Sequence, residues 1–270
     1  MNKVIFSNGN SIFRGVISSQ SSYRASLQRG NSLLTYEVQL EQKGNSVQIE
    51  AKNFLINNNP PDLMAEQLAH KAGQALYPLC LSLNRQGDIS YISNYEEIKT
   101  RWQKIYTKLL EYYVDAYSVH YINQTHRSYT LHSLLKEKLE ENYFFFLYFG
   151  GIYNQTLGDD FYREYTLRYK GVDFLFSQWV DMETNENNCF GLYREGLQEE
   201  RDERIELRYL LENKHKSIEE ASFSFFKSEK IDFLFTIEKL EETASFSTGE
   251  TPTEERMQFW LDEKPENLNH

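Results

Sequence analysis

His120, His126 and His132 recur every six residues and are the first candidates for metal chemistry. On an α-helix six steps turn the chain by about 600°, so successive rings point about 240° apart and do not converge on one ion. The spacing favours solvated or packing histidines, and neither a metal nor another cofactor is expected. Cys80 lies in Leu79-Cys80-Leu81 and Cys189 follows Asn187-Asn188. Two isolated thiols give neither a zinc spacing nor a disulfide framework, so both are read as reduced. Asp159-Asp160 followed by Glu164 would supply neighbouring carboxylates for general acid–base work. Gly158-Asp159-Asp160 also reads, more simply, as a turn entering a strand. The chain has no Gly-rich phosphate loop, nucleophile elbow or paired zinc histidines. An enzyme reading would rest on Asp160, Glu164 and His126, and the sequence leans against it.

Two groups of residues suit recognition better than reaction. Trp102, Tyr106, Tyr113 and Tyr117 fall at helical spacing, and tyrosine joins a large contact area to a polar tip, as binding grooves require. Core packing of a helix on a sheet is the competing use of the same stripe. Near the end of the chain, Thr251-Pro252-Thr253-Glu254 spells a cap, a proline at the first helical position and a glutamate at the third. Met257, Phe259, Trp260 and Leu261 follow on a short helix that either folds back on its own chain or enters a partner's groove. The acidic run Glu199-Glu200-Arg201-Asp202-Glu203 would attract a basic partner, but Arg201 and Arg204 interrupt it, which favours a solvated loop or helix end.

These residues sit in a chain of 270 amino acids, long enough to bury a sizeable core, with 19 Tyr, 18 Phe and a net charge of −11. The charge disfavours nucleic acid, whose binding depends on Lys and Arg releasing phosphate counterions. After Lys3 the apolar run Val4-Ile5-Phe6 stops at Ser7-Asn8-Gly9, too short for a secretory signal. The longest aromatic run, Tyr143 to Phe149, is far below the roughly 20 residues of a membrane span. A cytoplasmic, soluble protein is expected, and the Asn-, Lys-, Tyr- and Ile-rich composition suggests a bacterial, AT-rich coding sequence.

The elements that must position the candidates read as α+β: curved antiparallel sheet from N- and C-terminal strands, packed against a central pair of long helices. A single domain over 1–240 is expected. Strands occupy 1–56 (4–6, 12–17, 33–40 and 47–51), with a hairpin at Lys43-Gly44-Asn45. A helix over 61–75 is opened by Pro61 and Asp62, with Met64, Leu68 and Ala72 on its packing face, and a hairpin follows over 76–93. Asn94 and Glu97 form a capping box for a helix over 94–122, which pairs with a second over 128–149 that Gly150-Gly151 ends. Period-two alternation then predicts a meander over 161–240, turning at Lys170-Gly171 and Ser228-Glu229-Lys230, with a tether and terminal helix over 241–270. Whether the two strand sets share one sheet is open at this level.

The function that fits these features is a non-catalytic interaction or assembly component, part of a larger complex, recognising a protein through aromatic surfaces or its C-terminal helix. An apolar small-molecule or lipid site between sheet and helix is the alternative.

Overall fold

The computed structural model describes residues 18–156, 162–181 and 188–241. The strands expected at 4–6 and 12–17, Asp159 and Asp160, and the terminal helix with Met257, Phe259, Trp260 and Leu261 lie outside the described residues.

Among the described residues, eleven strands form one antiparallel sheet, so the two strand sets join. From the N-terminal half come β1 (Ser18–Arg29), β2 (Ser32–Lys43), β3 (Ser46–Ile56), β4 (Leu79–Leu83) and β5 (Ile89–Ile92). The second half supplies β6 (Tyr162–Tyr169), β7 (Val172–Asp181), β8 (Cys189–Gln198), β9 (Glu203–Glu212), β10 (Ile218–Lys227) and β11 (Lys230–Lys239). Each half meanders between the middle of the sheet and one edge. The order is β5-β4-β3-β2-β1-β11-β10-β9-β8-β7-β6, so the first and last strands meet along a central seam running from Tyr23↔Lys239 to Gln28↔Leu234.

The turns follow from local chemistry. Lys170 and Gly171 both adopt positive φ between β6 and β7, as a two-residue hairpin loop twisted with its strands requires. Ser228 and Glu229 do the same between β10 and β11 without a glycine. β8 was not expected from the sequence, because Gly191, Arg194 and Gly196 interrupt its apolar alternation. Gly196 is required there: a Cβ on it would come within 2.5 Å of the Phe176 ring, which lies across the glycine from the neighbouring strand. The acidic run expected as a solvated loop or helix end is a 3-10 turn, Glu199–Arg201, between β8 and β9.

The helices depart from the expected pair. α1 (Met64–Gln74) starts two residues after Asp62, and Glu66 reaches back to accept from the Leu63 N–H at 3.3 Å. Its Leu68 and Ala72 are buried as expected, whereas Met64 is exposed. In place of two long helices there are four: α2 (Tyr95–Tyr112), α3 (Ala116–Thr130), α4 (His132–Glu140) and α5 (Tyr143–Tyr148). The breaks carry no glycine or proline; side-chain caps mark two of them, while the break at Leu131 between α3 and α4 has none. Asp115 accepts from the Tyr117 and Ser118 N–H groups at 3.1 and 2.9 Å, and Asn142 accepts from Phe144 N–H at 3.0 Å. The expected Asn94 cap is absent. Asn94 is buried and instead ties α2 to β4, its Oδ1 accepting from Cys80 N–H at 2.9 Å and its Nδ2 donating to the Pro78 carbonyl at 2.8 Å.

Helices cover one face of the sheet, the inner face. α5 lies on β10 and β11, with the Tyr143 ring 4.6 Å from Phe233 and Phe146 5.4 Å from Phe223. Phe144, Phe145, Leu147 and Tyr148 are all buried, so the short aromatic run is the plug of the core. α2, α3 and α4 pack in series on one another, and α4 touches the edge strand β5. Among the described residues no helix is long and apolar enough to cross a membrane.

Candidate functional site

The outer face, turned away from the helices, carries a groove of about 660 Å³ across β7 to β11. Its floor is made by small residues where large ones would stand: Gly191 on β8, Ser222 on β10 and Thr236 on β11. Strand register explains the layout, because residues paired across antiparallel strands project to the same face. One outer row runs Tyr162, Trp179, Tyr193, Arg208, Ser222, Thr236 from β6 to β11. The row passes from aromatics through one cation to hydroxyls.

Trp179 and Tyr193 stack with centroids 5.8 Å apart and planes 17° from parallel. The Tyr193 ring folds over its own strand, so that a Cβ on Gly191 would meet its Cε2 at 2.7 Å. Trp179 remains 39% exposed, whereas tryptophan is highly buried on average. The adjoining row places Asp181, Gly191, Leu210, Glu220 and Glu238 side by side. Glu220 and Glu238 are direct cross-strand partners, and like charges in that relation repel, while Arg24 on β1 stands opposite Glu238 on its other side. Arg208 is already engaged by Glu206 at 3.0 Å, which leaves the groove's lip acidic. Cys189 lines the same groove, and burial, followed by the nearby Glu219 and Glu212 carboxylates, pushes its thiol pKa up. A thiol held protonated is a poor nucleophile.

The residues singled out from sequence are dispersed. Trp102 is fully buried and donates its Nε1–H to His126 Nδ1 at 3.1 Å. Tyr106 stacks on His126 at 4.1 Å and donates to Asn123 Oδ1 at 3.0 Å, joining α2 to α3. Tyr113 is 1% exposed, whereas Tyr117 is 90% exposed. The helices break between them, after Tyr112 and before Ala116, so the tyrosine stripe is not one surface. His120 contacts Gln124, and His132 stacks on Tyr91 at 4.8 Å, so the three histidines serve three separate contacts. Glu164 faces outward on β6 and accepts from the Tyr162 hydroxyl at 2.6 Å, on the opposite side of the sheet from the helices that carry His126. Among the described residues no three His, Cys, Asp or Glu side chains gather as a metal-binding set.

Trp179, Tyr193 and Arg208 were not singled out from sequence, although a signal for the first was present. In Val172 to Val180, Phe174 and Phe176 alternate with Leu175 and Trp179, which puts Trp179 on the face opposite the core. No protein-family profile matches this chain, and no curated protein sequence matches it.

Proposed function

We propose that this is a non-catalytic binding protein, a component of a larger assembly, that recognises a protein partner through the outer face of its sheet. The observation that carries the reading is the Trp179–Tyr193 stack standing in solvent beside the 660 Å³ groove. Stacked, half-exposed aromatics next to a concavity are the usual anchors of protein interfaces, since they bury much area with little conformational entropy to lose. The acidic lip favours a partner segment bearing Lys or Arg, which would also relieve the Glu220–Glu238 repulsion.

The test compares the wild type with a Trp179→Ala/Tyr193→Ala double variant by affinity capture and mass spectrometry. Both side chains face outward, so the variant should keep its melting temperature while losing a defined subset of captured proteins. An identical captured set from both proteins would overturn the reading.

A second reading, an apolar small-molecule or lipid site, is favoured by one observation: a groove of about 490 Å³ between α3 and α4, lined by Tyr121, Tyr129, Leu135 and Leu139. Native mass spectrometry showing a bound species that disappears in Leu139→Glu would move the assignment to that groove.

A further inference from the structure

The inner face is apolar along most of each row, but one row changes character towards the β6 edge. Reading outward through the paired positions it runs Phe235, Phe223, Leu207, and then Arg194, Gln178, Arg163. Arg194 is 2% exposed and Gln178 fully buried. Arg194 spends its hydrogen bonds on neutral acceptors: Nε on Gln178 Oε1 at 2.9 Å, and the two terminal nitrogens on the Gly150 and Gly151 carbonyls at 2.8 and 3.2 Å. Its guanidinium carbon lies 5.7 Å from the Tyr165 ring centre and 5.9 Å from that of Tyr209. Arg163 lies nearer the same ring, its guanidinium carbon 4.1 Å from the Tyr165 centre.

Two guanidinium groups are thus gathered about one aromatic ring, and among the described residues neither forms an ion pair. Burial, and then the charge of Arg194, push the Arg163 pKa down. Around them, among the described residues, Gln178 Nε2 and the Tyr209 hydroxyl are buried with no hydrogen-bond partner, and the buried Tyr165 hydroxyl has only the Arg163 side chain beside it. Every one of those groups is able to donate. Burial raises the Tyr209 pKa, which keeps its phenol protonated and donating. Orphan donors of this kind are uncommon in folded interiors, where buried polar groups are paired almost without exception. The phenol oxygens and Gln178 Oε1 can also accept, and Gln178 Oε1 already accepts from Arg194. Two positive charges with no ion-paired carboxylate among the described residues nonetheless leave the set with a surplus of donors, the complement of an oxyanion.

We propose that Arg163, Tyr165, Gln178, Arg194 and Tyr209 form a binding site for a small carboxylate at the β6 edge of the inner face. A carboxylate is planar, carries two acceptor oxygens and matches the guanidinium fork, so one such group supplies both the missing charge and the missing acceptors. Arg163 is only partly buried and gives the site its approach from solvent. Ligand binding there also has a structural readout, because Arg194 is the clamp that holds the Gly150-Gly151 turn, and with it the end of α5, to the sheet. The site lies on the opposite face from the Trp179 groove and stands or falls independently of the partner reading.

The experiment is a thermal-shift titration of the full chain with sodium acetate against sodium chloride at matched ionic strength, repeated on Tyr209→Phe and Arg163→Gln. Acetate should raise the wild-type melting temperature in a saturable way, as a ligand of the folded state alone must. Tyr209→Phe removes one donor and little else, and should weaken the apparent acetate affinity about tenfold. Arg163→Gln should abolish the response while leaving a cooperative transition. Three results would overturn the proposal: no acetate-specific shift, an equal shift in Arg163→Gln, or an Asp159→Asn/Asp160→Asn variant that first makes the protein acetate-responsive. The last would show that the chain's own carboxylates fill the site.

Discussion

His70 illustrates how a single side chain acquires a role from its neighbours. It lies off the Met64–Leu68–Ala72 face of α1 that was expected to pack, yet the ring packs edge-on against Phe54 at 5.3 Å and contacts Gln74. Burial, and secondarily Lys71, push its pKa below the usual histidine value. A folded-state pKa below the unfolded one means that the unfolded chain binds more protons in the interval between them, so stability rises with pH across it. His70 therefore contributes stability that is fully present above about pH 6.5 and is lost as the pH falls through its lowered folded value. Melting curves recorded between about pH 5 and pH 7 should be flatter for His70→Gln than for the wild type. A variant curve parallel to that of the wild type would remove His70 from the pH response. Residue-level chemistry of the candidate groove was harder to read. Trp179 was placed by the alternation of β7, but Tyr193 and Arg208 acquire meaning only from cross-strand register, and no local pattern encodes a pairing between segments far apart in the chain.

At the scale of elements, most strands were legible, but β1, whose polar run Ser18 to Ser22 opens a strand outside the expected ranges, and β8 were not, nor were the helix boundaries. Lys170-Gly171 and the Lys43-Gly44 turn announced their hairpins because positive φ has few residues to carry it, and the β6, β7 and β9 to β11 alternations matched their burial. β8 was missed because Arg194 occupies an inward position, where alternation leads one to expect an apolar side chain. The break between α2 and α3 was hidden for a different reason: Tyr112, Tyr113 and Tyr117 continue the apolar periodicity straight across it, and Asp115 ends the run through hydrogen bonds that spacing does not reveal. Asp115 thus decides that α3 starts afresh. The Ser118 side chain, and after it the backbone bonds from Ser118 and Tyr117, hold its carboxyl below the usual range. Replacing it with Ala removes an N-cap and should lower the melting temperature by a few degrees. Asp115→Asn, which keeps the acceptor, should recover most of the loss. A null effect of Asp115→Ala would mean that packing of α3 alone fixes its start.

On the scale of the whole molecule, the sheet is assembled from both ends of the described chain. Tyr23 on β1 donates its hydroxyl to the Ile218 carbonyl at 2.9 Å, across 195 residues of sequence. Seams of such separation form after the local hairpins, since loop closure must be accomplished before they contribute. Removing that hydroxyl in Tyr23→Phe should cost about 1 kcal/mol. It should appear mainly as faster unfolding, with the folding rate nearly unchanged, in stopped-flow measurements across denaturant. A slower folding limb would instead place the seam in the folding nucleus. The same seam decides how the molecule would respond to tension. β1 and β11 are antiparallel, so Ser22 and Leu240, joined by a backbone hydrogen bond of 2.7 Å, lie at the same end of the pair. A load applied between those two positions loads the seam's ladder one rung at a time, peeling rather than shearing it, so a sheet of eleven strands would be mechanically soft along the one direction in which its two halves are pulled apart.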